Sequence, residues 1–594
     1  MPSDNFDIIT SDHLLHYTDH PFKVFAGPGA GKTHWLINNI KNIINNSKKL
    51  NLASKIACIT YTNVAVEEIL TRLNMTGDRV EISTIHSFLY KCLVKPYAFL
   101  LRYPDGRGLI NVENLDGHDD HIPSIGRILG NKTMSAAILR NRMTNNELKE
   151  VLSALEWSIV DDNIVLQPCK SWLKRKYRNL INTSFFFDYK TMFWEEGIIH
   201  HEDVLFFAHE ILKNHPLLRE FIAQKYTHIL VDEFQDTHPV QTKILRWLSE
   251  AGAVIGVIGD PAQSIFKFQG ASRNDFIDFT LPEQQIFTMK QNRRSTRNIV
   301  NVLNHIRGDD EVFQECQRDI DGCEVCVIVD KKVETIMSKY SDERIRKELT
   351  GTSCIVSRKN DSVIRLKSST GNCNLAIWND FSKADNRRQR FVEILLSAQE
   401  YANRSMYETA INSAIKLFKA DKDGSVREPF IKCTHGVDNL WKRSMAVSLL
   451  EYLLSNREST LGKNLLSFYS DLITYFGGMG LSLKRVSAGE FKSFAQSVSV
   501  NDLVIGLKLG EEKNSSIRTI HKSKGAEFQS VLVYFDDSND LKHIVHPDIQ
   551  SEEDDSRLYY VALSRAEDLL CIATHELRKD IADELTKLNI RVIA

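Results

Sequence analysis

Three short runs of residues carry types and spacings suited to phosphate chemistry. The first, Ala26-Gly27-Pro28-Gly29-Ala30-Gly31-Lys32-Thr33, sets three glycines ahead of a lysine and a hydroxyl. Successive backbone N–H groups of such a loop wrap phosphate oxygens, and the start of a following helix adds partial positive charge. Lys32 reaches the β- and γ-phosphates and the Thr33 hydroxyl ligates Mg²⁺. The second run, His228-Ile229-Leu230-Val231-Asp232-Glu233-Phe234-Gln235-Asp236, leads apolar residues into adjacent carboxylates. Asp232 holds Mg²⁺ through water, and Glu233 polarises an attacking water. The third, Val257-Ile258-Gly259-Asp260-Pro261-Ala262-Gln263, ends in a polar turn that brings Gln263 toward the same ligand. Taken together, the three runs converge on one nucleotide and predict its hydrolysis with Mg²⁺.

Short strands must position these runs. Phe22–Phe25, Ile56–Thr60, Ile229–Val231, Val254–Ile258 and Ile286–Met289 read as one set, and Val325–Val329, Cys354–Val356, Val531–Phe535 and Leu569–Ala573 as a second. The segment after the Gly-rich run carries Leu36, Ile40, Ile43 and Ile44 at helical spacing. Alternation of strands with helices predicts an α/β protein with two parallel sheets. The carboxyl ends of parallel strands share one edge, where ligands bind, so the three runs converge there. Two intervals break the rhythm. Residues 91–199 read as loop-rich and then helical, and residues 376–509 as almost wholly helical, both inserted into a two-sheet body.

Composition narrows the rest. The 594 residues contain 75 Lys and Arg against 77 Asp and Glu, a net charge of −2. A protein that coats a polyanion is thereby disfavoured, and any nucleic acid is expected in a local groove. No apolar run approaches membrane-spanning length, so no membrane contact is expected. The start, Met1-Pro2-Ser3-Asp4-Asn5-Phe6-Asp7, lacks the basic and apolar regions of a secretory signal. With ten cysteines and no such signal, a reducing cytoplasm is the expected setting. Cys323 and Cys326 form the one C-x-x-C pair, and its strand-like context predicts structural thiols rather than metal ligands.

Further motifs add a resemblance. Val231-Asp232-Glu233-Phe234-Gln235-Asp236-Thr237 and Gly259-Asp260-Pro261-Ala262-Gln263-Ser264-Ile265-Phe266 closely resemble the UvrD/Rep/PcrA group of superfamily 1A DNA helicases. So do Thr60-Tyr61-Thr62-Asn63, Ser83-Thr84-Ile85-His86-Ser87-Phe88, Gln291-Asn292-Arg293-Arg294-Ser295, Thr519–Phe528 and Tyr560–Ala566. With the Gly-rich loop, eight motifs run in the family's order from residue 26 to 566. The resemblance implies two RecA-like lobes, 1A over residues 1–90 and 200–291 and 2A over 292–375 and 510–594. Insertion 1B is then 91–199 and a reduced 2B is 376–509. It implies an ATP-dependent 3′→5′ translocase or helicase on single-stranded DNA. Gln263 then senses the γ-phosphate, Arg294 and Arg565 act as arginine fingers, and Glu527 contacts ribose. Tyr61, Asn63, His86, Phe266, Phe268 and His521 match positions along the DNA. Aromatic stacking tolerates any base, which suits a moving motor.

The sequence also departs from the family. No glutamine stands in Ile8–Phe25 to read adenine, and Arg293 replaces the tyrosine that stacks on it; a guanidinium also stacks on a base. The 2B interval lacks the family's Gly/Phe-rich and acidic signature, and little chain remains after Arg565 for a fused nuclease domain. In these respects the chain resembles the short UvrD-like subunits of bacterial anti-phage systems of the Gabija type. That resemblance implies an alternative, an ATP- and DNA-sensing subunit that gates a partner nuclease of the OLD class without unwinding DNA itself.

Overall fold

The computed structural model describes residues 6–593 except 74–78, 104, 116, 119–124, 182, 309–311, 368–376, 404–405, 421–428, 434–438, 487–488 and 508–515. Of Asn63, Val64, Gln269, Ala420 and Asn439 it describes the backbone alone. The chain divides into two compact units. One comprises residues 1–325 with 525–527 and 541–569, and the other 326–524 with 528–540 and 570–594.

The first unit is built on a seven-stranded sheet in the order Asp7–Ile8, Gln285–Met289, Phe22–Ala26, Val254–Gly259, Tyr226–Val231, Lys55–Thr60, Val80–Thr84. Every neighbouring pair is parallel. The strands Tyr226–Val231 and Val254–Gly259 are buried at every position, which explains their unbroken apolar runs: helices cover both faces of a parallel sheet. Their carboxyl ends, with that of Phe22–Ala26, bring the three chemistry-bearing runs to one edge of the sheet centre. The edge strand Val80–Thr84 is half polar. Its last residue caps the helix Ile85–Leu89, the Thr84 hydroxyl accepting from Ser87 N at 3.4 Å.

The interval 91–199 contains short helices, as expected, and also an antiparallel hairpin of Leu155–Val160 with Asn163–Pro168. Its two-residue turn, Asp161-Asp162, has φ of 47° and 66°, the left-handed pair that suits the twist of a hairpin. Behind this hairpin lies a buried charge network. Lys190 Nζ is 2.9 Å from Asp203 Oδ1 and 2.7 Å from Glu202 Oε1. Asp203 also accepts from the indoles of Trp157 and Trp194 and from His200 N, each at 3.0 Å.

The second unit carries a six-stranded sheet in the order Ile517–Thr519, Ser353–Ser357, Phe528–Phe535, Ala566–Thr574, Cys326–Val329, Arg591–Ile593. Ser353–Ser357 and Cys326–Val329 are each parallel to both neighbours. Cys326 is buried in its strand with Sγ 3.1 Å from Cys571 Sγ on the next. Residues beyond 376 form a separate helical core around Phe381, Phe391, Leu395, Leu449, Phe468 and Phe476. The long helix Ile377–Asn403 breaks at Asp385, whose carboxylate accepts from Arg387 N and Arg388 N and so caps the second stretch. One feature departs from an all-helical reading here, a parallel pair of short strands, Phe418–Ala420 and Ile431–Cys433. Three residues each give too little periodicity to read. Among the described residues no helix is long and apolar enough to cross a membrane.

Burial pushes the Asp203 carboxyl up, but the Lys190 ammonium, His200 and the Trp157 indole together outweigh that and hold it well below the ordinary carboxylate value. A depressed carboxyl contributes stability above its unfolded pKa and loses it as pH falls through the folded one. Lys190→Met leaves Asp203 buried without its cation, so urea unfolding at pH 7 is expected to show a loss of about 3–5 kcal/mol. The difference from wild type should shrink on acidification below about pH 4, where the unfolded carboxyl takes up its proton.

Candidate nucleotide site and nucleic-acid face

The Gly-rich loop leaves the strand Phe22–Ala26 and enters the helix Lys32–Asn46, whose first turn carries no acid. Gly29 and Gly31 have φ of 70° and 86°, and neither has space for a side chain. A Cβ at Gly29 would meet Asn292 Oδ1 and Arg294 Cβ at 2.7 Å, and one at Gly31 would meet Ser11 Cβ at 2.7 Å. Closing the loop so tightly turns its N–H groups inward, the geometry of an anion nest. Lys32 Nζ lies 3.3 Å from Ala26 O and 3.6 Å from Glu233 Oε1, which places the ammonium between loop and carboxylates.

Asp232 and Glu233 follow the strand Tyr226–Val231. Glu233 has φ 54°, a left-handed conformation that a side chain adopts only under constraint. The constraint is visible: Glu233 N donates to Asp232 Oδ1 at 2.9 Å, and Gln235 Nε2 donates to Glu233 Oε2. Burial, then the neighbouring Glu233 carboxylate, pushes Asp232 up to about 7, with Lys32 opposing. Two carboxylates thus share one lysine.

Gln235 continues the chain of contacts, its Oε1 accepting from Asp260 N at 3.0 Å. The Asp260 carboxylate takes Gln263 Nε2 at 2.8 Å and Arg307 Nη1 at 2.9 and 3.1 Å, which fixes the Gln263 amide. The Gln263 oxygen in turn accepts from Arg565 Nη2 at 3.0 Å. Arg565 is 3% exposed. Its remaining bonds go to the carbonyls of Val561 and Ala526 and to the Ser564 hydroxyl. Every partner is neutral, so a buried guanidinium stands with no carboxylate bonded to it. Burial and the Arg294 cation push it down to about 10. It therefore stays charged at neutral pH.

Two further arginines adjoin the loop. Arg293 N donates to Gly29 O at 2.9 Å, and Arg293 Nη2 to Asp12 Oδ2 at 3.1 Å and Gln291 Oε1 at 3.0 Å. Arg294 pairs with Glu527 and donates to Ser564 O at 3.0 Å. Arg565, Gln263 and Glu233 are thus joined in one network, while the Arg294 guanidinium is held by Glu527.

The residues expected along DNA fall into separate groups. Tyr61 packs its ring 4.6 Å from Phe266, and Phe266 lies 5.8 Å from Phe268. Phe266 is buried, whereas Phe268 is 56% exposed, a large apolar ring facing water. His86 stacks on His201 at 3.9 Å, and His201 lies 4.9 Å from His118. Burial, with the neighbouring imidazoles, holds His86 well below its ordinary value, so it is neutral at pH 7. His521 belongs to the second unit, on the short helix Ile520–Ser523. Asn63 opens the helix Asn63–Leu73, but its side chain lies outside the described residues. In the basic segment Lys174–Arg178, Lys174 pairs with Glu156 and Lys176 with Glu147.

Some contributors were not legible as such. Gln314 fills the space at Gly27 and donates to Pro28 O at 2.8 Å. Arg307 clamps Asp260 from a helix whose sequence looks merely amphipathic. Neither sits in a recognisable motif. Ser11 and Asp12 touch the site from a stretch read only as lacking a glutamine.

Comparison with known proteins bears on all of this. Residues 10–282 match the UvrD/REP helicase N-terminal domain, and residues 471–577 the UvrD-like helicase C-terminal domain. The chain is 28% identical over 344 residues to Gabija protein GajB of Bacillus cereus, covering 49% of this chain and 48% of that one. It is 22% identical over 608 residues to a probable DNA helicase II homolog of Mycoplasma genitalium, covering 92% and 82%. It is 22% identical over 624 residues to the ATP-dependent DNA helicase PcrA of Staphylococcus epidermidis, covering 94% and 82%. The match to GajB thus spans about half the length of that protein. With both helicase domains matched in order along the chain, it belongs to the UvrD-like helicase family.

Proposed function

We propose that this protein hydrolyses ATP with Mg²⁺ to move along single-stranded DNA, 3′→5′, as two RecA-like lobes open and close. The lobes are residues 1–90 with 200–291 and residues 292–375 with 510–594, the intervals 91–199 and 376–509 being insertions. The observation that carries the reading is Arg565, a buried cation bonded only to neutral groups and joined through Gln263 to the network around Glu233. Such a cation is compensated when a phosphate enters.

The residues fit nucleotide and metal. The loop Ala26 to Thr33 offers its N–H groups and Lys32 to the phosphates. Asp232, raised by burial and then by its carboxylate neighbour, and the Thr33 hydroxyl supply oxygens to a divalent cation. Among the described residues no three His, Cys, Asp or Glu gather to hold a metal alone, which accords with a cation that takes its other oxygens from phosphates and water. Mg²⁺, when bound, neutralises phosphate charge. Glu233, held rigid by Gln235, orients and polarises the attacking water, and Arg565 stabilises charge on the phosphoryl group. Arg294 joins it on exchanging Glu527 for phosphate, which frees Glu527 for ribose. Gln263, touching both Asp260 and Arg565, reports the state of the γ-phosphate. Phe268, backed by Phe266 and Tyr61, offers the exposed face on which a base stacks, with Asn63 and His86 as further DNA contacts of the first unit and His521 as a DNA contact of the second.

Similarity to Gabija protein GajB favours a second reading, in which the chain senses nucleotide and DNA and gates a partner nuclease of the OLD class. The two separate on one measurement. Steady-state ATPase activity should rise several-fold with single-stranded DNA, whereas an equal rate with and without DNA rejects the motor in favour of gating. Glu233→Gln should lower ATP turnover by at least about 10²-fold, the contribution of a positioned base; wild-type turnover would remove Glu233 from the chemistry. Arg565→Ala should cut kcat by about 10³-fold or more with ATP still bound, as measured by kcat and nucleotide Kd separately. Phe268→Ala should weaken single-stranded DNA binding by about 1–3 kcal/mol in a fluorescence-anisotropy titration, and an unchanged Kd refutes stacking there.

A further inference from the structure

A cavity of about 700 Å³ opens among four elements of the first unit and shares no residue with the phosphate loop. Its walls come from the loop at residues 100–109, the hairpin at Asn163 and Ile164, the helix Phe185–Trp194 and the end of the helix Asp203–Asn214. The loop is closed on itself by two backbone bonds, Tyr103 N to Arg107 O and Leu109 N to Leu101 O, each at 2.8 Å. A volume of this order, with apolar walls and a few polar groups, suits a small organic ligand.

The aromatic wall is held rigid from behind. Phe206 lines the cavity, and its ring stacks on Trp157 at 4.1 Å and on Trp194 at 5.3 Å; Phe187, also in the lining, meets it edge-on at 5.9 Å. Both indoles donate to Asp203, whose charge Lys190 balances. The buried ion pair, which the motor chemistry does not use, thereby fixes three stacked rings beside an open space. Surface fixed in advance in this way costs little ordering when a ligand settles on it.

The polar part of the lining is cationic. Arg102 and Lys213 are exposed, and among the described residues neither forms an ion pair. Arg102 donates one N–H to Gly106 O at 3.0 Å and keeps the others. Glu210, the one acid among the described lining residues, is engaged on both oxygens: Oε1 lies 2.9 Å from His209 Nδ1, and Oε2 accepts from Asn214 Nδ2 at 3.5 Å. Asn163 and Asn214 use their amide nitrogens within the protein, which leaves the amide oxygens as acceptors.

We infer that this cavity binds a nucleoside monophosphate, with the base against Phe187 and Phe206 and the phosphate on Arg102 and Lys213. Stacking on an aromatic wall suits the flat face of any base. The exocyclic N–H groups of a base match the spare oxygens of Asn163 and Asn214. Two cations without a carboxylate match a phosphate, whereas an uncharged aromatic ligand would leave both unanswered. A mononucleotide in solution and the 5′-phosphorylated end of a strand present this same chemistry.

The probe is 2-aminopurine deoxyriboside 5′-monophosphate, whose fluorescence falls on stacking, titrated into the full chain and into Lys32→Ala. Saturable quenching with one probe per chain and the same Kd in both proteins is expected. The nucleoside without phosphate should bind at least about tenfold more weakly, the reach of one charge-assisted bond. Arg102→Glu combined with Lys213→Glu, both at exposed positions, should erase that difference. Phe187→Leu, which keeps an apolar side chain, should weaken the monophosphate at least about fivefold and restore fluorescence to what remains bound. Absence of saturable quenching overturns the inference, as does equal binding of nucleoside and monophosphate or a Kd indifferent to these variants. Binding that Lys32→Ala abolishes overturns it too, because the probe then occupies the phosphate loop. Competition assigns the source: a 5′-phosphorylated oligonucleotide that displaces the probe at lower concentration than dAMP marks a site for strand ends, and the reverse order marks a site for free nucleotide.

Discussion

Taking an ion out of water costs several kcal/mol unless another charge compensates it. The first unit meets this constraint in two opposite ways. Around Lys190 the compensation is internal: two carboxylates, two indoles and a backbone N–H close the network. Around Arg565 it is withheld, since every group bonded to that buried cation is neutral. The carboxylates behave alike, Asp232 being buried beside Glu233 with one lysine between them. Cation and anions kept apart in this fashion do not favour the free protein. On the reading proposed above, they are matched to a ligand that brings phosphate to one and a metal ion to the other, beyond the partial compensation that Glu233 and Glu527 give Arg565 and that Lys32 gives the carboxylates.

Holding them requires rigidity, which comes from the sheet. Three neighbouring parallel strands, buried at every position but Phe25, bring their carboxyl ends Ala26, Val231 and Gly259 to one edge. From there the polar chain Glu233, Gln235, Asp260, Gln263 and Arg565 is bonded link by link, with Arg307 anchoring its middle. Each amide carries a bond at both ends, so neither Gln235 nor Gln263 can turn without breaking one. A change of charge at one end is felt at the other as a loss or gain of hydrogen bonds, which is the route by which the proposed sensing through Gln263 would run. The strained φ of Glu233 belongs to the same economy of position: a relaxed backbone would swing the carboxylate off Gln235.

Central strands and motifs were legible because their signals are local. Val254–Gly259 is buried on both faces, so it reads as an unbroken apolar run, and the glycines of the loop announce a backbone that side chains would obstruct. Edge strands were not. Val80–Thr84, Ile517–Thr519 and Arg591–Ile593 are short and partly polar, and pairing rather than composition makes them strands. The hairpin of Leu155–Val160 was hidden by its Asp161-Asp162 turn, which lacks the usual glycine. In the site, residues within motifs could be placed, whereas Gln314 and Arg307 could not. Their roles arise from where helix and loop return in space, and no spacing along the chain encodes that.

The departures from the family pattern have the same physical logic as the agreements. A tyrosine beside the loop would offer a flat, neutral face to a base; Arg293 offers a charge, and a charge half out of water requires an answer. Asp12 supplies it, and could do so only because the chain before the first long strand lies close against Gly31. Once the two are paired, the guanidinium is held beside the loop by its carboxylate. The substitution at Arg293 is therefore not a lost contact but one half of a coupled exchange, whose other half stands 281 residues earlier in the chain.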